Sequence, residues 1–81
     1  MLPPYTSDEV AAAVVAALTA AGVRGAALTV TASDIAMEWC VAAARADGRQ
    51  LVASYPFATP EGITVPSEIA AWFVELVHDE D

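Results

Sequence analysis

The sequence predicts an α+β fold of order α-β-β-β-α, a three-stranded antiparallel meander with both helices on one face. Three observations predict it. A segment near each end carries apolar residues at helical spacing. Three short segments between them are apolar at alternate positions. The turn residues separating those three set a register in which the large side chains share one face.

Ser7 is read as the cap of the first helix, with Asp8 and Glu9 in the first turn, where carboxylates suit the helix dipole. The helix is expected to run to Ala21 and stop at Gly22. Val10, Val14, Ala17, Leu18 and Ala21 then share a face. After Arg24-Gly25, residues 26–32 alternate, with Leu28 and Val30 on one side and Thr29 and Thr31 on the other. That pattern is a half-buried strand.

Residues 35–46 admit two readings. Ser33-Asp34 could cap a helix, which gives α-β-α-β-α. Register favours strands. With Ser33-Asp34 as a two-residue turn, Leu28 faces Trp39 and Val30 faces Met37. With Ala46-Asp47-Gly48 as a three-residue loop and Gly48 left-handed, Met37 pairs with Phe57, Trp39 with Tyr55, Val41 with Ala53 and Ala43 with Leu51. A slip of one residue scatters these side chains over both faces.

Thr59-Pro60-Glu61-Gly62 reads as a loop, and Pro66 opens a second helix over Ser67 to His78. Its stripe is Ile69, Trp72, Phe73, Leu76 and Val77. Residues 1–6 are a lead, 7–78 one small domain and 79–81 a frayed acidic tail. The expected large core residues are Leu18, Leu28, Val30, Trp39, Val41, Leu51, Ile69, Trp72, Phe73 and Leu76.

The order of elements resembles that of the double-stranded RNA-binding domain, in topology alone. That family reads phosphates with a lysine cluster at the start of its last helix. Here the place holds Val65-Pro66-Ser67-Glu68, a carboxylate where a cation is needed, so the resemblance implies no RNA binding.

Composition bounds the function. An 81-residue chain buries only about 60% of its unfolded surface. Cys40 is the one cysteine, so no internal disulfide helps, which suits a reducing cytoplasm and leaves oligomerisation as a source of buried area. The apolar fraction of 57% excludes disorder, although 19 residues are alanine. Eleven acids against Arg24, Arg45 and Arg49 give a net charge of −8. Three scattered arginines supply no basic patch, so neither nucleic acid nor an anionic membrane is an expected partner. The acidic start shows no signal peptide, and the apolar run from Val10 to Val23 is too short to span a bilayer. A cytoplasmic protein is expected.

Little in the sequence promises chemistry. Cys40 and His78 are the only nucleophile–base types, and the topology puts them on opposite sides of the sheet. The run His78-Asp79-Glu80-Asp81 has no second histidine or cysteine cluster to complete a metal site. Glu38 sits mid-strand among small residues, without the second group that acid–base work needs. No enzyme activity, metal or cofactor is therefore expected.

What the sequence offers is surface. The sheet face opposite the helices carries Thr29, Thr31, Glu38, Cys40, Ala42 and Ser54, and the first helix has an outer face with Val15 and Thr19. The outer strands are free edges. These point to a small non-catalytic protein-binding module, of adaptor, inhibitor, immunity-type or accessory kind, that forms a homodimer. Two alternatives are an acidic nucleic-acid mimic that occupies a basic cleft, and a small enzyme or subunit whose site is built at an interface from Glu38 and Cys40.

Overall fold

The computed structural model describes residues 3–23, 26–45 and 47–80. Helix α1 spans Ser7–Ala20, strands β1, β2 and β3 span Ala27–Ser33, Glu38–Ala44 and Gln50–Pro56, and helix α2 spans Pro66–Glu80. Two short strands, β4 (Ala58–Thr59) and β5 (Gly62–Ile63), form a separate small hairpin before α2. The main sheet has order β1-β2-β3 and is antiparallel throughout. The helices pack on each other, α1 also against β1 and α2 against β3, so both lie on one face. The fold is the predicted α+β meander, and the helical alternative for residues 35–46 is excluded by β2.

The core follows from period-two alternation in β2. Trp39, Val41 and Ala43 face the helices and are buried, while the residues between them are not. Val10, Val14 and Leu18 of α1 and Ile69, Ala70, Phe73 and Val77 of α2 close over them. Phe57, just past β3, is also buried and meets Trp39 edge-on at 5.1 Å. Leu28, Val30, Leu51 and Leu76 pack at the margin. Trp72 does not enter the core as expected. It is partly exposed and lies against Tyr55 at 5.6 Å.

The second hairpin has the predicted register, with Trp39 opposite Tyr55, Val41 opposite Ala53 and Ala43 opposite Leu51. Gly48 takes the left-handed conformation, φ +88°, and donates to the Arg45 carbonyl. Ala46 of the predicted loop lies outside the described residues, as do Arg24-Gly25, Met1, Leu2 and Asp81.

The first hairpin differs. Its turn has four residues, 34–37, so Leu28 faces Ala43, Val30 faces Val41 and Ala32 faces Trp39. The shift from the expected register is four residues. Being even, it keeps every side chain on its expected face. Length explains it. A strand of seven residues spans about 23 Å, and the helices, at 14 and 15 residues, span about 21–22 Å. With the four-residue turn, β1 and β3 flank the same seven residues of β2. A two-residue turn would leave Val41 and Ala43 unflanked on the β1 side and push Ile35 past the helices. Met37, expected in the sheet, is therefore in the turn.

Both helix starts refine the sequence reading. The cap of α1 is Thr6, not Ser7, because Glu9 is three residues on and completes a capping box. Thr6 Oγ1 accepts from the Glu9 amide at 3.1 Å, and the Glu9 carboxylate accepts from the Thr6 amide at 3.2 Å. At the other end Gly22, φ +82°, donates to Thr19 O and Val23 donates to Leu18 O, a Schellman stop. Pro66 opens α2, and the Glu68 carboxylate accepts from the Val65 amide at 3.3 Å. The helix does not fray at His78: it continues through Asp79 and Glu80. No glycine or proline stands there to stop it, and acids at a C-terminus cost only a few tenths of a kcal/mol.

Two buried polar atoms, Trp39 Nε1 and Thr64 Oγ1, find no hydrogen-bond partner among the described residues. Thr64 holds its place through its amide, which donates to Phe57 O at 2.9 Å. A hydroxyl buried without a partner costs stability. Thr64→Val keeps the shape and removes it, so it should raise unfolding free energy by about 1 kcal/mol in urea titration.

Burial pushes the Tyr55 hydroxyl above its ordinary value of 10.0. The unfolded chain then ionises at lower pH than the native one, so stability present below about pH 10 is lost as pH rises further. Melting temperatures taken from pH 9 upward should fall, and fall less in Tyr55→Phe.

Candidate functional site

The residues expected to carry function are those that the strands turn away from the helices. Antiparallel register places them in rows across the sheet. Thr29, Ala42 and Val52 form one row, and Thr31, Cys40 and Ser54 the next. Ser33, Glu38 and Pro56 close one end, and Ala27, Ala44 and Gln50 the other. Glu38 thus lies beside Ser33, where the two-residue turn had put Thr29. Six of the eight predicted interface residues, Thr29, Thr31, Glu38, Cys40, Ala42 and Ser54, come together on this face. Among the described residues no element packs over it.

The face is flat because its side chains are short. Its one ionisable acid is Glu38, at the end, and Val52 is its one exposed large apolar residue. The Cys40 thiol is free and half-buried in the middle. Val15 and Thr19 lie elsewhere, on the exposed side of α1, where the Thr19 hydroxyl donates to Val15 O at 2.8 Å. They do not join the open face. His78 is exposed on α2, across the sheet from Cys40.

A second region was not legible as a site. The chain brings three exposed apolar side chains to one end of the molecule. Ile35 and Met37 are in the β1–β2 turn, and Ile63 is in β5. Phe57 holds them together: its amide donates to Met37 O, and its carbonyl accepts from the residue after Ile63, each at 2.9 Å. The turn is fixed by Ser33, whose hydroxyl accepts from the Ala36 amide at 3.2 Å. Met37 has φ +54°, a left-handed conformation that costs an L-residue about 1 kcal/mol and that glycine or asparagine takes more easily.

The molecule is 36 Å long, and its described arginines lie at one end. Val23 is still bonded back to Leu18 O, and the three residues 24–26 that remain before β1 are too few to run the length of the sheet, so α1 starts at the turn end. Thr64 pins the start of α2 there as well. Asp8, Glu9, Asp34, Glu38, Glu61 and Glu68 therefore lie at this pole, and no described arginine or histidine lies there. Arg45 and Arg49 lie at the opposite hairpin, where Arg49 pairs with Asp47 at 3.5 Å. Six of the eleven acids, scattered in sequence, are thus brought to one end, while Asp47, Glu75 and Asp79 lie towards the other.

Beside Ile63 a cleft of about 240 Å³ opens between the β4–β5 turn and α2, lined by Thr59, Pro60, Glu61, Glu68 and Trp72. It combines an aromatic wall with two carboxylates, of which Glu68 already accepts the Val65 amide. Among the described residues no cluster of three or more metal-ligating side chains occurs, and no helix is long and apolar enough to cross a membrane. Compared with protein-family models, curated proteins and solved structures, the chain matches none.

Proposed function

We propose that this chain is a non-catalytic protein-binding module that self-associates through its open sheet face. The observation that carries the reading is that face itself: three full strands of short, nearly uncharged side chains with no layer over them. In a two-layer domain an antiparallel sheet can face water, and then its outer side is normally polar and charged. Here threonine, serine, alanine, cysteine and valine stand in those places. Short side chains let two such sheets approach closely, and they lose little rotamer entropy when covered.

Area sets the strength. Three strands at about 4.8 Å spacing and about 23 Å length present some 330–400 Å² per copy. Both sides together reach about 700–800 Å², below the roughly 1,200 Å² of a stable standard interface. A face-to-face dimer of this size is reversible and concentration-dependent. Two copies of net charge −8 also repel, so added salt should strengthen it.

Sedimentation velocity over a dilution series should show a monomer–dimer equilibrium that moderate salt shifts towards dimer. Ala42→Glu, which sets a carboxylate at the centre of the face, should leave the melting temperature within a few degrees and abolish the dimer. Alkylation of Cys40 should slow as protein concentration rises. A monomer at every concentration, or a dimer that survives Ala42→Glu, overturns the reading.

A further inference from the structure

We propose that the acidic pole is a second docking surface, for a protein partner whose contact zone is apolar at its centre and rimmed by arginine or lysine. This surface adjoins the open sheet face at Glu38, and its apolar residues lie outside that face. Three features converge on it. Ile35 is 98% exposed, Met37 49% and Ile63 54%, so half of the six exposed large hydrophobics among the described residues lie at this one end. A turn tip is a poor place for isoleucine on grounds of solubility, and the left-handed position of Met37 is a poor place for methionine on grounds of backbone strain. Neither side chain helps bury the core. The fold would be served as well by glycine or asparagine at Met37 and a polar residue at Ile35.

Charge chooses the occupant. Six carboxylates lie at the same end as the apolar tip, and no described arginine or histidine lies at that end. A second copy docked pole to pole would set Asp34, Glu38 and Glu61 against their own counterparts. An anionic lipid surface is repelled likewise. A basic-rimmed protein surface meets both needs: its apolar centre covers Ile35, Met37 and Ile63, and its cations face the acids. The cleft of Glu61, Glu68 and Trp72 gives one such cation a seat, with carboxylates beside an aromatic ring.

The test uses the full chain and a synthetic amphipathic helix with a leucine face flanked by arginine. Titration followed by methyl NMR should shift Ile35, Met37 and Ile63 and leave the Thr29, Ala42 and Val52 methyls unmoved. Ile35→Ser and Ile63→Ser should each weaken binding about tenfold or more. Helices of leucine with glutamate, or serine with arginine, should not bind, nor should neutral phosphatidylcholine vesicles. Met37→Gly should weaken binding while leaving the melting temperature unchanged or higher. A melting temperature lowered by about 4 °C or more assigns Met37 to the fold and overturns the proposal. So does binding of the glutamate helix, of the vesicles, or of the arginine helix at the open sheet face.

Discussion

The structure depends on the strict alternation of β2. One strand must give Trp39, Val41 and Ala43 to a single core and leave Glu38, Cys40, Ala42 and Ala44 outside it. Both neighbouring strands take their register from it, and both helices close on the same side. A chain of 81 residues has no second set of large side chains to build a third layer. The same constraint that makes the core leaves the other face bare.

This one-sidedness was legible in the sequence because side-chain period and turn chemistry agree. Gly48 marked its turn and fixed the β2–β3 pairing residue by residue. The β1–β2 turn differs from the expected one by one residue on β1 and three on β2, a register shift of four, because nothing at Ser33-Asp34-Ile35-Ala36-Met37 is a strong turn signal. An even error preserved the faces, so the predicted open-face residues survived it. The cost fell on Ile35 and Met37, which belonged to a strand in the sequence reading and stand at an exposed tip in the structure.

The acidic pole was hidden for a different reason. Its members come from the starts of both helices and of β2 and from two turns, and only the assembled topology brings them to one end. Read along the chain, they are a dispersed set of acids suited to solubility. The Thr6–Glu9 capping box was visible in principle, since a threonine followed three residues later by glutamate is a known start signal. The nearer serine obscured it.

Of the bare face and the polarised end, the bare face is the more fundamental because the core requires it. The most direct measurement is a methyl NMR dilution series on the unmodified chain. The account predicts concentration-dependent shifts in the methyls of Thr29, Thr31, Ala42 and Val52, with those of Val30, Val41 and Ala43 unchanged. Spectra that do not change with concentration, or changes confined to the α1 methyls, would contradict it.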